Sequence, residues 1–166
     1  MRWSAVPTVQ QGLDAGLVDP EEQVRLEAAA QARRDDPGLV PDTDQERRLD
    51  ARLAEVATAV ALRRHAGRQR VVLGPDGRVV ERTGKDLREV GLLVGSGGVL
   101  RHAGAGEAER VLRAATGADV PGGWLLPRDP RIVVDRTYVL VAAGLLAGAY
   151  PDVARGLLAG HLVPPA

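Results

Sequence analysis

The stretch Val90-Gly91-Leu92-Leu93-Val94-Gly95-Ser96-Gly97-Gly98-Val99-Leu100-Arg101 decides how this chain is read, because an apolar run of strand length passes directly into a loop almost without side chains. Such a loop leaves backbone N–H groups open, and glycine there permits positive φ and close approach of a ligand. In open α/β sheets ligands collect outside the carboxyl ends of strands, so a nucleotide site is the functional reading. The plain reading is a tight strand-to-helix turn that needs glycine for geometry alone. The loop lacks the lysine of a P-loop.

Composition narrows the class. A chain of 166 residues is one domain, or one lobe of a larger one, and can bury about two thirds of its surface on folding. Hydrophobic residues make up 45%, yet phenylalanine is absent and the aromatic set is Trp3, Trp124, Tyr138 and Tyr150, so the core is built from Ala, Val and Leu. That leaves little for base-stacking platforms. Lys plus Arg and Asp plus Glu both number 22, so no net charge steers the chain to nucleic acid or an anionic membrane. The absence of cysteine removes disulfides, Cys-type zinc sites and thiol catalysis together. Neither a signal-peptide pattern nor an apolar run of membrane-spanning length is seen, so a soluble cytoplasmic protein is expected.

Outward from the glycine run, the elements are read in turn. The opening Met1-Arg2-Trp3-Ser4-Ala5 has no turn or capping signal and reads as cut from the middle of something. Asp19-Pro20-Glu21-Glu22 supplies an N-cap, a first-turn proline and acidic first-turn residues, which predicts a helix to about residue 34. Asp35-Asp36-Pro37-Gly38 stops it. Thr43 with Glu46 forms a capping box, and Leu49, Leu53, Val56 and Val60 recur at helical spacing toward His65. The basic end of that helix and the following loop, Arg63, Arg64, His65, Arg68 and Arg70, complement its dipole, with a phosphate or nucleic-acid patch as the other reading. Residues 70–73 and 78–81 flank Gly74-Pro75-Asp76-Gly77, which predicts a β-hairpin over about 70–82. Strands are expected near 90–94 and 131–134, a short helix over 107–115, a long one over about 137–149 and a last one after Pro151-Asp152. His-Ala-Gly occurs at 65–67 and 102–104 without surrounding self-similarity. Apolar strands covered by helices give an α/β layered class.

Single residues carry competing readings. Ser96 could bond a ribose or phosphate oxygen, or close a local turn. Asp135, just before a helical run, reads first as an N-cap. Arg101 and His102 follow the glycines within reach of a phosphate, or are solvated loop residues. The three histidines are scattered and no metal site is expected. Trp124 reads as a core residue, with a partner surface as the other reading.

Four segments in order resemble one family. They are Met1-Arg2-Trp3-Ser4-Ala5, Arg64-His65-Ala66-Gly67-Arg68, Gly84-Lys85-Asp86-Leu87 just before Val94-Gly95-Ser96-Gly97-Gly98, and Ile132-Val133-Val134-Asp135-Arg136-Thr137-Tyr138 before an Ala/Gly-rich helix. Together they resemble the C-terminal part of the glutamate mutase accessory proteins, the MutL or GlmL type associated with cobalamin-dependent aminomutases. That family looks like a member of the actin, sugar kinase and heat-shock chaperone superfamily. The resemblance implies a ribonuclease-H-like lobe of an actin-like ATPase fold over residues 1–166, with a helical segment at about 19–66 and a sheet and nucleotide-loop segment at about 70–166. It also implies ATP or ADP with magnesium as cofactor, contacted by Gly95, Ser96, Gly97, Gly98, Val99, Arg101 and Asp135. Ala142-Ala143-Gly144 would let its helix approach the sheet closely.

The superfamily's first phosphate loop, of Asp-x-Gly-Ser/Thr type, has no counterpart here, and Asp14-Ala15-Gly16-Leu17 lacks both the hydroxyl and a preceding strand. Phosphoryl transfer needs metal and donors from several loops. The chain is therefore expected to be a truncated frame, a fragment or half of a split protein, an ATPase only when a phosphate-binding lobe completes it. The resemblance implies a chaperone-like reactivating ATPase lobe serving an adenosylcobalamin-dependent aminomutase, with a mutase subunit as partner. The alternative is a non-catalytic interaction module with a degenerate ATPase fold. A lobe without its mate would expose apolar surface, which allows a homodimer or a split-protein partner.

Overall fold

The computed structural model describes residues 5–75, 77–104 and 106–162. Among these the element order is α1 (Ala5–Asp14), α2 (Pro20–Asp35), α3 (Asp44–His65), β1 (Arg68–Gly74), β2 (Gly77–Thr83), β3 (Leu92–Ser96), α4 (Gly98–His102), α5 (Glu107–Arg113), β4 (Arg131–Asp135), α6 (Val139–Leu146) and α7 (Pro151–Leu162). The chain is mixed α/β, with an antiparallel pair β1–β2 and a parallel pair β3–β4.

α2 starts as its sequence demands, with Pro20 in the first turn, Glu21 and Glu22 beside the positive helix end, and Arg33 and Arg34 at the other. Asp19 holds the cap position in extended conformation, but its carbonyl rather than its side chain receives the Glu22 and Gln23 N–H groups. The capping box of α3 is half realised. Thr43 Oγ1 accepts from Glu46 N at 3.2 Å, whereas the Glu46 carboxylate turns away to pair with Arg33. Arg33 is buried and also pairs with Asp50, which locks α2 onto α3. Burial alone would depress this arginine, yet the two carboxylates hold it above its ordinary value.

Two apolar cores share α3. Val9 of α1, Leu26 and Ala30 of α2, Val18, and Val56 and Val60 of α3 form the first, with Leu49 and Leu53 against it. Ala51 of α3 faces the other way and joins Leu100, Ala108, Val111 and Leu112 in the second, against which Leu93, Ile132 and Val134 of the parallel pair pack. Glu55 extends this second face, holding Arg52 on its own helix and Arg110 on α5.

Several elements differ from the sequence reading. α1, a helix the sequence reading did not set out, is anchored in the first core by the wholly buried Val9; residues 1–4 of the opening motif lie outside the described residues. β3 sits two residues later than the expected 90–94, so Gly95 and Ser96 pair with Val134 and Asp135 as strand rather than loop. The helix expected over 137–149 is α6 alone, and that over 107–115 ends at Arg113. Ala143 is buried, but Ala142 and Gly144 are exposed and a Cβ on Gly144 would meet nothing within 4 Å. Of the three small residues only Ala143 is packed inward. Trp124 is half-buried and stacked by arginines, with Arg68 at 4.3 Å and Arg63 at 5.9 Å from the ring centroid, so the guanidinium groups rather than core side chains cover its faces.

Candidate functional site: the glycine turn between β3 and α4

Parallel pairing brings the carboxyl ends of β3 and β4 side by side, with Ser96 opposite Asp135. The two loops that leave these strands form the candidate site. Gly97 has φ +130° and ψ 161°, a conformation closed to L side chains, and it lets the chain turn from β3 into α4. A Cβ built at Gly97 or Gly98 meets nothing within 4 Å, so open space lies over both. Gly95 is different. A Cβ there would stand 2.5 Å from Leu112 Cδ1 and 2.8 Å from Leu100 Cδ1, so its missing side chain makes room for the second core.

Asp135 is wholly buried and spends its carboxylate on the start of α6, accepting from Val139 N at 2.9 Å and Leu140 N at 3.2 Å. Ser96 Oγ donates to the same carboxylate at 3.4 Å. Asp135 thus supplies the acceptor that the N-cap reading asked for, but from three residues ahead of the cap position, which Tyr138 occupies. It also holds a strained residue, because Tyr138 adopts φ 56° and ψ 32°, a left-handed conformation costly for a non-glycine residue.

Arg101 and Tyr138 link the two loops. The Arg101 guanidinium lies 4.8 Å from the Tyr138 ring centroid, and Arg136 Nη1 donates to the carbonyls of Arg101 at 3.0 Å and Ala103 at 3.4 Å. Val99 is exposed beside the glycines, and His102 closes α4 on the exposed side. Ser96, Gly97, Gly98, Val99, Arg101 and Asp135 therefore gather at one end of the parallel pair, with Gly95 one residue inside it. The sequence reading gave no site role to Arg136 or to Tyr138, each of which it quoted inside a motif. Two cationic residues flanking the loops were a usable signal; a left-handed tyrosine has none. Among the described residues, no His, Cys, Asp and Glu side chains cluster in a way that could hold a metal ion. None of their helices is long and apolar enough to cross a membrane.

The chain matches the model of the family described as MutL protein over residues 1–162. It is 35% identical over 144 residues to Protein MutL of Clostridium tetanomorphum, a match covering 86% of this chain and 30% of that relative. The chain thus spans less than a third of the length of this curated relative. No solved structure matches it significantly. A match along nearly the whole sequence, through helices, hairpin and glycine turn alike, bears out the family that the four segments resemble: the chain belongs to the MutL protein family.

Proposed function

We propose that this chain is the nucleotide-contacting lobe of a chaperone-like ATPase that serves an adenosylcobalamin-dependent aminomutase such as glutamate mutase, folded as a ribonuclease-H-like lobe of the actin type. The observation that carries the reading is the Gly97–Gly98 turn, backbone without side chains under open space at the carboxyl end of a parallel pair. ATP or ADP would bring phosphates for the backbone N–H groups of Gly98 and Val99. Arg101, held near the turn by Tyr138, supplies a cation at that end of the sheet. Ser96 and Asp135 fix the relative position of the two loops rather than reach the ligand, since each is already bonded to the other. Magnesium would arrive with the nucleotide. Hydrolysis requires a further phosphate-binding segment, so the isolated chain binds nucleotide without turning it over.

The test is an amide-resolved NMR titration with ADP and magnesium to millimolar concentration, beside the Gly98→Leu variant. Gly98 has an ordinary φ and free space for a side chain, so this variant keeps the fold while filling the ligand's room. Shifts centred on residues 95–101 that vanish in the variant support the proposal. A silent spectrum from folded protein refutes it. That result would favour the second reading, an interaction module that keeps the fold without nucleotide, to which the complete use of the Asp135 carboxylate inside the protein already lends weight.

A further inference from the structure

The β1–β2 hairpin stands outside both cores. Its base is covered on one side only: Gln69 N donates to Gly123 O at 2.7 Å and Leu125 N to Gly67 O at 2.9 Å, so the Trp124 segment adds a one-rung strand to the outer edge of β1. Among the described residues none pairs with the outer edge of β2, and all seven residues of the strand are exposed. Register fixes which groups that edge offers. Gln69 bonds outward and stands opposite Arg82, and opposed residues of an antiparallel pair share their bonding direction. Arg82, Val80 and Arg78 therefore present their N–H and C=O groups outward.

The same three residues share one face, because side chains alternate along a strand. That face reads cation, apolar, cation, with Val80 52% exposed between the arginines. Glu81 on the opposite face is taken by Arg70 at 2.8 Å, and among the described residues Arg78 and Arg82 form no salt bridge, although the charge of Arg82 helps hold the Asp86 carboxyl below its ordinary value. An exposed edge of this length presents a row of outward backbone groups, and its charged side chains restrict which strands can pair with it.

We propose that the outer edge of β2 accepts an extended, acidic segment of a partner protein as an added strand, in which two carboxylates spaced by four residues flank an apolar residue. Backbone bonds to Arg78, Val80 and Arg82 give the pairing, and the two guanidinium groups select the acidic pattern. The valine between the arginines and the absence of any aromatic side chain on the hairpin favour a peptide over a nucleic-acid strand. This surface is separate from the glycine turn and does not depend on the nucleotide reading.

The probe is the capped heptapeptide acetyl-Thr-Glu-Thr-Val-Thr-Glu-Thr-amide, titrated into the full chain and read by amide shifts. Shifts confined to residues 77–83, weakened by added salt, are expected. Arg78→Glu with Arg82→Glu should lower affinity by about tenfold or more. Val80→Pro should abolish binding while leaving the rest of the spectrum in place, because it deletes an outward N–H that the hairpin does not use. Equal binding of the peptide with lysine in place of glutamate overturns the proposal. So does silence at millimolar peptide, tighter binding of a single-stranded RNA oligonucleotide at the same amides, or concentration-dependent dimerisation through them.

Discussion

Replacing Gly95 by alanine tests whether that glycine serves the core or the ligand. The new methyl would stand 2.5 Å from Leu112 Cδ1, 2.8 Å from Leu100 Cδ1 and 3.2 Å from Leu112 Cδ2. Carbon atoms rest at about 3.5–4.0 Å, so at least one buried leucine must retreat by about 1 Å. Both leucines belong to the second core, at 4% and 8% exposure, and have little room to give. Overpacking of this kind costs about 1–3 kcal/mol. Gly95 lies within a strand at an ordinary φ, so alanine also restricts the unfolded chain and recovers about 0.4–1 kcal/mol. The net is a loss of about 1–2 kcal/mol. With a urea m-value of about 2 kcal/mol/M, the unfolding midpoint should fall by about 0.5–1 M. Leu112→Val shortens the obstructing side chain, so it should cost less in the alanine background than in wild type, a positive coupling in a double-mutant cycle. An unchanged midpoint for Gly95→Ala, or strictly additive variants, would refute the packing account.

Other outcomes follow from the same geometry. Asp135→Ala strips two N–H groups at the start of α6 of their acceptor and should cost about 2 kcal/mol, with hydrogen exchange at Val139 and Leu140 accelerating before the rest of the chain. Arg33→Met leaves the partly exposed Glu46 and Asp50 without their shared cation and should cost about 1–2 kcal/mol in urea unfolding; a neutral result would mean the ion pairs add nothing to the α2–α3 contact. The hydrogen bond from Arg52 holds Glu22 below its ordinary 4.5, so this pair stabilises the fold above that pH and loses its contribution as pH falls. Glu22→Gln should therefore narrow the stability difference between about pH 7 and about pH 3, measured by urea unfolding at each.

Much of this architecture was legible because it rests on local chemistry. Pro20 with Glu21 and Glu22, Thr43 with its helical spacing, and the glycines Gly74 and Gly77 that pair at the end of the hairpin each mark an element through chemistry within a few residues, Asp76 of that turn lying outside the described residues. What escaped depends on distant contacts. α1 owes its place to Val9, which packs against residues of α2 and α3. The two-residue offset of β3 arises because Gly95 must sit over Leu112, a residue 17 positions on, which no reading of the strand alone discloses. The candidate site divides the same way. Glycine marks the turn in the sequence, but only folding separates Gly97 and Gly98, under open space, from Gly95, which looks inward. Likewise Trp124 looks like core by type, and its arginine neighbours come from α3 and β1.

The two faces of α3 have a consequence for cutting this protein. Its leucines and valines close one core while Ala51 and Glu55 complete the other, so no boundary through the helix leaves either side with its own interior. A seam cannot be drawn between helical and sheet-bearing parts. The helices and the parallel pair should therefore unfold in a single cooperative transition, and Gly95→Ala, by pressing on Leu100 and Leu112 against Ala51, should lower the protection of α1 and α2 along with that of the glycine turn.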